Sequence, residues 1–203
     1  AVSRIIAGRA GGQRLATPSG RLTRPTTDRV REAVFSALAA WNGTANEAPE
    51  DQLAGQAFCD LFAGSGAMAL EAASRGATTV FAVDRDRFAC NVMRDNSRTT
   101  RLRIQVSSQT VTAFLAENRR VFDIVWFDPP YDLADDAMDG LIAAACERTL
   151  ARNGLLVVER SRRSRGPGFP EGYESWNSRY GETVVYYAQC RREPETDVSR
   201  GQQ

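Results

Sequence analysis

The 203-residue chain contains no histidine and no lysine, so all 26 of its basic residues are arginine. Without an imidazole, no mechanism carried by this chain can use histidine as a general base or a metal ligand. Contacts to phosphate groups would come from guanidinium groups, which bind phosphate in a bidentate geometry. The absence of histidine directs the search for chemistry to carboxylates and backbone groups.

Cysteine is scarce, and none of the four cysteines forms a C-x-x-C pair. Their wide spacing favours neither a zinc site nor a disulfide framework. We expect buried free thiols in a reducing compartment, and no bound metal. The four residues are Cys59, Cys90, Cys146 and Cys190.

Long hydrophobic runs are also absent, since no apolar stretch approaches the roughly 20 residues that span a bilayer. Residues 1–6 do not resemble the apolar core of a signal peptide. We therefore expect a cytoplasmic protein without a membrane partner. The 42% of hydrophobic residues is enough to form the core of one α/β domain.

The first 42 residues predict an arm followed by a helix. Short apolar pairs alternate with glycine and arginine up to residue 24, which is typical of a small β-hairpin. Thr27 or Asp28 can cap a helix that carries apolar residues at helical spacing as far as Trp41. A polar linker follows at residues 42–52. The predicted units are the arm and helix at 1–42, a main domain at 53–192, and a disordered tail at 193–203.

Strands and helices alternate through the main domain. This order predicts an α/β fold with a mostly parallel sheet covered by helices on both faces, and a C-terminal hairpin would add antiparallel strands at one edge. The predicted strands are 57–62, 78–83, 103–106, 121–127, 155–159, 173–178 and 183–190. The predicted helices are 66–75, 87–97, 111–118 and 135–150.

The net charge is only +1, but positive charge is concentrated in two places. Residues 1–40 contain seven arginines against two carboxylates, and residues 160–165 contain four more arginines. Such clusters are compatible with a polyanion partner and equally with a solvated surface.

The first chemical motif is the segment Asp60–Gly66, Asp-Leu-Phe-Ala-Gly-Ser-Gly, where a strand enters a glycine turn before a helix. Gly64–Ala69 also fits the dinucleotide pattern G-x-G-x-x-A, and Asp84 at the end of the next strand could bind ribose hydroxyls in either case. Asp60 separates the two cofactors. Its carboxylate would repel a pyrophosphate but attract the ammonium group of S-adenosylmethionine, which we therefore expect as the cofactor.

The second motif, Asp128-Pro129-Pro130-Tyr131, directly follows an apolar strand. The prolines stiffen the loop, so the Asp128 carboxylate and the Pro129 carbonyl can face one point as two acceptors. Two acceptors can hold both protons of an exocyclic amine and aim its lone pair at a methyl group. Tyr131 can stack on an extruded base. We predict these four residues as the catalytic motif.

These motifs resemble those of the bacterial 16S ribosomal RNA guanine-N2 methyltransferases of the RsmD type, along nearly the whole chain. The resemblance rests on Arg4–Gly8 with Gly12 and Arg14, Arg24–Glu32, Asp60–Gly66 continuing to Ala77, Asp128–Tyr131, Val158-Glu159 and Tyr180–Thr183. The N-terminal signature is the most specific, because many methyltransferases share the other motifs.

The resemblance implies a class I S-adenosylmethionine-dependent methyltransferase (Rossmann-like) fold with a seven-stranded sheet. It implies methylation of the N2 amine of one guanine in 16S ribosomal RNA, on an assembled or partly assembled 30S subunit; we expect a monomer. The expected cofactor-binding residues are Thr26, Asp60, Phe62, Ala63, Gly64, Ser65, Gly66, Asp84, Arg85, Ser108, Gln109 and Asp128. The expected RNA-binding residues are Arg4, Arg9, Arg14, Arg24, Arg29, Arg31, Arg162 and Arg163.

Other functions fit parts of the sequence. A DNA or RNA adenine-N6 methyltransferase uses the same amine chemistry, although a DNA enzyme normally carries an additional recognition domain. Protein-glutamine methyltransferases usually have asparagine in place of Asp128. A nicotinamide oxidoreductase would leave Asp128–Tyr131 without a role, and a non-catalytic ribosome-assembly factor would not need the catalytic motif.

Overall fold

The computed structural model describes residues 3–18 and 26–190. Within these residues the chain forms nine strands, five α-helices and one short 3₁₀ helix at Pro49–Asp51. The strands are β1 Ser3–Arg4, β2 Arg14–Leu15, β3 Ala57–Leu61, β4 Thr79–Asp84, β5 Gln105–Ser108, β6 Phe122–Phe127, β7 Leu150–Ser161, β8 Tyr173–Tyr180 and β9 Thr183–Cys190. The helices are α1 Asp28–Trp41, α2 Ala67–Ser74, α3 Arg87–Thr100, α4 Val111–Glu117 and α5 Asp135–Arg148.

The N-terminal part forms the predicted hairpin and helix. Strands β1 and β2 pair antiparallel, with Ser3 opposite Leu15. Helix α1 begins at Asp28, and the Thr27 hydroxyl caps it by accepting a hydrogen bond from the backbone N–H of Val30 at 3.3 Å. The arm and α1 share a hydrophobic cluster with the main sheet, so they pack onto it directly.

Seven strands form the main sheet in the order β5-β4-β3-β6-β7-β9-β8. Neighbouring strands from β5 to β7 run parallel, and β9 runs antiparallel to both β7 and β8. The predicted mostly parallel, seven-stranded sheet with a C-terminal hairpin is confirmed. The hairpin is inserted so that β9, the last strand of the described residues, lies next to β7, while β8 forms the edge.

Helices cover both faces of this sheet, as predicted. Helices α1, α2 and α3 contribute to a cluster on one face, which includes Phe58 and Trp126. Helices α4 and α5 contribute to a second cluster on the opposite face, which includes Val125 and Phe127. The alternation of side chains along β6 supplies both clusters, which explains why the strand is apolar from Ile124 to Phe127.

The boundary between α5 and β7 differs from the sequence prediction. The helix ends at Arg148 and β7 already begins at Leu150, where the prediction had the helix continue to Leu150 and the strand start at Leu155. Leu150 pairs with Phe122, and the register then jumps so that Ile124 pairs with Leu155. The residues between them bulge out of the ladder, which lets Arg152 and Asn153 stay exposed within one long strand.

The topology positions a crevice. From β3 the chain proceeds outward to β4 and β5, and it then crosses back to β6 on the other side of β3 and proceeds to β7. In open α/β sheets, ligands bind beyond the carboxyl ends of the strands where the order reverses in this way. Here that point lies between β3 and β6, where the two sequence motifs are found.

No helix in residues 3–18 and 26–190 combines the length and apolar character needed to cross a membrane. The same residues contain no group of three or more side chains suited to hold a metal ion. The predicted tail at 193–203 lies outside the described residues.

Candidate active site at the carboxyl edge of the sheet

Four carboxylates converge at the carboxyl edge of the sheet. Asp60 on β3 is in register with Ala82 on β4 and Trp126 on β6, and Trp126 is in register with Val157 on β7. Side chains two residues apart on a strand point to the same face. The acids Asp84, Asp128 and Glu159 each follow one of these register partners by two residues. Their side chains are therefore expected on the same face of the sheet as that of Asp60.

The glycine turn after β3 is shaped by backbone conformations that ordinary side chains disfavour. Phe62, Gly64 and Gly66 all have positive φ angles, of 68°, 57° and 79°. A side chain at Gly66 would also place its Cβ 2.8 Å from Cγ of Met93 on α3. The turn can therefore lie tightly against α3 only with glycine at this position.

Asp84 at the end of β4 holds this turn in place. One carboxylate oxygen accepts a hydrogen bond from the backbone N–H of Gly64 at 2.8 Å, and the other accepts from the N–H of Asp86 at 2.9 Å. The backbone N–H of Ala63 is anchored nearby on the carbonyl of Val83 at 2.9 Å. Asp84 thus organises the turn, and its predicted contact with ribose hydroxyls stays a prediction.

Asp60 is buried, with 1% of its surface exposed, and within the described residues neither of its carboxylate oxygens has a hydrogen-bond partner. Burial raises the pKa of Asp60 well above its ordinary value. The nearby backbone N–H of Ala69 lowers it in part without reaching hydrogen-bonding geometry, and the charge of Asp84 raises it further. A buried carboxylate without a donor is suited to receive a cationic group of a ligand.

Asp128 and Pro129 follow β6 at the centre of the edge. Loss of surrounding water raises the pKa of Asp128 well above its ordinary value, and the charges of Glu159 and Asp60 add to this while Arg160 opposes it. The carbonyl oxygen of Pro129 accepts no hydrogen bond from any described residue. The motif therefore contains two acceptor groups, and their convergence on one amine stays a prediction.

The rest of the motif flanks these acceptors. The carbonyl of Pro130 accepts a hydrogen bond from the backbone N–H of Leu133 at 3.1 Å, which closes the loop. Tyr131 is exposed over 61% of its surface, in keeping with an aromatic side chain that a base could stack on. Its stacking role stays a prediction.

Glu159 on β7 belongs to this site, although sequence reasoning used it only as part of the family resemblance. It is 8% exposed, and its Oε2 accepts a hydrogen bond from the hydroxyl of Thr26 at 2.6 Å. Burial raises its pKa, and the bond from Thr26 lowers it in part. An acid at the end of an apolar strand was the signal that also identified Asp84 and Asp128, so the same rule could have found Glu159.

The remaining predicted cofactor residues lie near the ends of β4 and β5. Arg85 follows Asp84 and is exposed, as is Ser108 at the end of β5. Gln109 donates a hydrogen bond from Nε2 to the hydroxyl of Ser107 at 2.8 Å. Ser65 lies within the glycine turn itself, where its carbonyl accepts a hydrogen bond from Asn96 at 3.2 Å. The role of these residues in cofactor binding stays a prediction.

One predicted RNA contact requires correction. Arg31 is only 1% exposed, and its Nη2 donates to the carbonyl of Arg4 at 2.7 Å and to Asp28 at 2.8 Å. Burial lowers its pKa, with the nearby acids opposing this. Arg31 therefore fastens the arm to α1 and does not face RNA. It forms an i, i+3, i+4, i+7 row with buried Val34, Phe35 and Leu38, and this spacing was the available signal.

The other arginines predicted to bind RNA lie at the surface wherever the structure describes them. Arg4 pairs with Asp28 at 3.1 Å, and Arg163 lies 3.5 Å from Glu182, both in exposed positions. Arg24 lies outside the described residues. The exposed members of the set are Arg4, Arg9, Arg14, Arg29, Arg162 and Arg163.

A cavity of about 580 Å³ lies elsewhere, between α3 and β5, where Arg94, Arg98 and Val106 are among its lining residues. It contains none of the four carboxylates at the strand ends. We locate the active site at those ends because the acceptors and the glycine turn meet there.

Comparison with known proteins finds relatives along nearly the whole described chain. A family model described as "Conserved hypothetical protein 95" matches residues 3–189. Ribosomal RNA small subunit methyltransferase D of Haemophilus influenzae is 34% identical over 165 residues, covering 77% of each chain. The protein of the same name from Escherichia coli is 31% identical over 187 residues, covering 90% of this chain and 87% of that protein.

Solved structures share the fold. The structure named "Putative methyltransferase yhhF from Escherichia coli" superimposes with a TM-score of 0.77 at 27% identity, over 95% of this chain and 100% of that one. The Thermus thermophilus 16S rRNA N2 G1207 methyltransferase, in complex with AdoMet and guanosine, superimposes with a TM-score of 0.68 at 19% identity, over 94% of this chain and 50% of that one. The fold is that of the S-adenosylmethionine-dependent methyltransferases, and the chain belongs to the family of ribosomal RNA small subunit methyltransferase D.

Proposed function

We propose that this protein transfers a methyl group from S-adenosylmethionine to the exocyclic N2 amine of a guanine in 16S ribosomal RNA. The observation that carries the proposal is that two acceptors, the Asp128 carboxylate and the Pro129 carbonyl, follow each other at the end of β6. The Pro129 carbonyl accepts no hydrogen bond from a described residue, and the buried carboxylate of Asp60 lies close enough to act on Asp128. The names of the relatives support the class of RNA, and the relative solved with guanosine supports the base.

The residues around the glycine turn fit the cofactor. Asp60 offers two buried carboxylate oxygens without donors among the described residues, and an ammonium group of a methionine moiety would satisfy them. Asp60 directly precedes the glycine turn, and its ionised carboxylate would repel the pyrophosphate of a dinucleotide. The same glycine pattern in this electrostatic setting therefore favours S-adenosylmethionine over a nicotinamide cofactor. When bound, the cofactor supplies an electrophilic methyl group on sulfur.

Asp128 and Pro129 would orient the amine. An exocyclic amine has two N–H donors, and two acceptors in fixed positions hold both of them while the nitrogen lone pair points at the methyl carbon. The bound cofactor would supply the methyl group and keep the electron pair of the broken carbon–sulfur bond on sulfur, and the Asp128 carboxylate would accept the proton that the methylated amine releases. Burial and neighbouring acids raise the pKa of Asp128, which makes its carboxylate a better proton acceptor than an ordinary aspartate.

The exposed arginines would bind the RNA backbone around this negative centre. Arg9 and Arg14 on the arm and Arg29 on α1 lie on the part of the chain that contacts Glu159 through Thr26. Guanidinium groups at the rim would hold phosphates while the base enters the carboxylate-lined crevice. We propose that the protein acts as a monomer in the cytoplasm, on an assembled or partly assembled 30S subunit.

Transfer of a labelled methyl group tests the proposal. Purified protein is incubated with labelled S-adenosylmethionine and 30S particles from cells that lack the native modification, and the modified nucleotide is mapped. We expect one labelled guanine, which on hydrolysis yields N2-methylguanosine. Naked 16S RNA in a parallel reaction determines which form of substrate the enzyme needs.

Other results would assign a different function. Label at N6 of adenine would favour the adenine methyltransferase alternative, and label only in protein would favour a protein methyltransferase. Calorimetric binding of NAD without binding of S-adenosylmethionine would overturn the proposal at the cofactor. Binding to 30S particles without any transfer would indicate an assembly factor.

A further inference from the structure

Glu159 occupies the position next to Asp128 along the edge of the sheet. The parallel register pairs Phe127 on β6 with Val158 on β7. The next residue on each strand is Asp128 after Phe127 and Glu159 after Val158, so these two acids are neighbours. Both acids continue the same face, and the charge of Glu159 acts directly on Asp128. A planar group held by Asp128 and Pro129 would therefore lie close to Glu159.

The hydrogen bond from Thr26 engages only one of the two carboxylate oxygens of Glu159. In the described residues it is the one hydrogen bond that Glu159 receives, and it engages Oε2 alone. A hydroxyl donor could be satisfied equally by a neutral glutamine, which would avoid burying a charge beside Asp128. A carboxylate in this place is therefore better explained by a second donor that arrives with a ligand.

Guanine carries such a donor beside its exocyclic amine. On its Watson–Crick edge the N1–H lies next to the N2 amine, so an acceptor beside the amine site would receive a hydrogen bond from N1. Adenine presents an unprotonated N1 next to its N6 amine, and its lone pair would face the same carboxylate with repulsion. A carboxylate beside the amine site thus separates the two bases, which amine chemistry alone does not.

We propose that Glu159 is the base-specificity residue of this enzyme, accepting a hydrogen bond from N1–H of the target guanine through the oxygen that Thr26 leaves free. The proposal rests on the proposed function, because it assigns a role within the same site. Thr26 fixes the orientation of the carboxylate through its hydrogen bond to Oε2 at 2.6 Å. A site built to hydrogen-bond one group rejects an analogue that lacks it, because the buried acceptor is then left unpaired.

The base 2-aminopurine isolates this contact. It has the same exocyclic amine at C2 as guanine, but its N1 is unprotonated and carries a lone pair. The probe is a 16S RNA assembled into 30S particles, with either guanine or 2-aminopurine at the nucleotide mapped in the experiment above. The quantity measured is the ratio of kcat/KM for guanine to kcat/KM for 2-aminopurine, in the wild-type protein and in Glu159→Gln.

We expect the wild-type protein to prefer guanine by about 100-fold, and Glu159→Gln to reduce that preference by about tenfold or more. Glutamine can turn its amide to donate to an unprotonated N1, so activity on 2-aminopurine should rise while activity on guanine falls. The two bases differ in intrinsic reactivity, but this difference cancels when the ratio is compared between the two proteins. A variant that merely distorts the site would lower both activities together and leave the ratio unchanged.

Glu147→Gln provides the matched control, since Glu147 is exposed on α5, away from the strand ends. It should retain the wild-type ratio. A ratio for Glu159→Gln within twofold of wild type would overturn the role of Glu159.

Should Glu159→Gln fail to fold, the wild-type protein alone can still refute the proposal. Methylation of 2-aminopurine by the wild-type protein within about threefold of guanine would refute the contact with N1. Failure of the proposed function looks different, because the wild-type protein would then not methylate the guanine particles at all.

Discussion

In the contact between the arm and helices α2 and α3, the buried side chains of Glu71, Ser74 and Asn96 find partners inside the protein, whereas the carboxyl edge of the sheet leaves several buried polar groups without partners. At the arm, the Glu71 carboxylate accepts hydrogen bonds from the backbone N–H groups of Ile6 and Ala7 and from Arg75, at 2.7, 3.1 and 2.8 Å. At the edge, both oxygens of Asp60 and two nitrogens of Arg160 lack partners among the described residues.

Other groups continue the pattern at the arm. Ser74 accepts a hydrogen bond from the backbone N–H of Ala10 at 3.0 Å and donates to the carbonyl of Ala7 at 2.6 Å. Asn96 binds both the N–H and the carbonyl of Ala16, at 2.8 and 2.9 Å, and reaches the carbonyl of Ser65 in the glycine turn. These side chains replace the strand partners that the short arm lacks, and they connect it to the turn.

The difference between the two regions separates structure from function. A buried polar group that finds all its partners inside the protein specifies the fold, and its loss should lower stability. A buried polar group without partners lowers stability as it stands, and it is retained where a ligand completes it. The arm contact should therefore respond to mutation mainly in stability, and the edge mainly in binding and catalysis.

The largest effect is expected at Asp128. Replacing it with alanine removes both an acceptor for the amine and the proton acceptor, so kcat should fall by about 10³-fold. The affinity for S-adenosylmethionine, measured by calorimetry, should stay within about threefold of wild type. The melting temperature should not fall, because the variant no longer buries a carboxylate whose pKa is raised by its surroundings.

Asp132→Ala, four residues further along and exposed, is the control for the Asp128 variant. It should retain wild-type activity. Loss of cofactor binding together with activity in Asp128→Ala would mean that Asp128 is a structural residue and that the two regions do not differ in the way we describe.

Glu71→Ala should give the opposite response. It leaves the backbone N–H groups of Ile6 and Ala7 unpaired and removes the ion-pair partner of buried Arg75. The free energy of unfolding, measured by urea denaturation, should fall by about 3 kcal/mol. Glu117→Ala on the exposed part of α4 is the control. A change of less than about 1 kcal/mol in Glu71→Ala would contradict the assignment of the arm contact to structure.

The fold was largely predictable because the chain alternates apolar strands with helices, and both glycine and proline mark the turns of the site. Asp60–Gly66 and Asp128–Tyr131 are local in sequence, so their chemistry could be inferred without knowing the fold. The contact of Glu71 with the arm could not, since it joins residues 64 and 65 positions apart. Nothing local in α2 indicates which amides its carboxylate will meet.

The burial of Arg31 and the position of Glu159 in the site both have a signal in the sequence. The charge of Arg31 suggests a surface position, whereas helical spacing places it in the row of Val34, Phe35 and Leu38. Glu159 ends an apolar strand in the same way as Asp84. Its proximity to Asp128, however, depends on the register between β6 and β7. The bulge after Leu150 sets this register, and the sequence alone does not reveal it.

Asp60→Asn should weaken cofactor binding by about 10- to 30-fold, which is smaller than the loss of activity at Asp128, because one charged hydrogen-bonding contact is removed. In the absence of cofactor, the variant also tests how the unpaired Asp60 carboxylate affects the stability of the protein. Burial raises the pKa of Asp60 in the folded protein, so the folded state holds this proton more tightly than the unfolded chain does. The free energy of unfolding of the wild type should therefore fall as pH rises above about 4, the ordinary range of a carboxyl group.

Asp60→Asn should lessen this dependence, so its melting temperature should fall less between pH 5 and pH 8 than that of the wild type. Asp84→Asn is a matched comparison on the neighbouring strand. It removes one of two acceptors that hold the backbone N–H groups of Gly64 and Asp86, so it should destabilise the protein by about 1 to 2 kcal/mol. If both variants changed stability alike, the distinction between paired and unpaired acids would lose its support.

The smallest effect is expected in the pH dependence of methyl transfer by Glu159→Gln. Transfer needs the ionised form of Asp128, so activity should be lost as pH falls through the raised pKa of this residue. Burial is the largest cause of the raised pKa of Asp128. Of the charged groups acting on it, Glu159 from β7 and Asp60 from β3 raise the pKa further, and Arg160 from β7 lowers it. Removing the charge of Glu159 should therefore move the acid limb of the kcat profile to lower pH. The relative activity of the variant at acid pH, normalised to its own maximum, should exceed that of the wild type by a few-fold. Glu147→Gln should leave the limb in place, and an unmoved limb in Glu159→Gln would mean that the two carboxylates do not share one site.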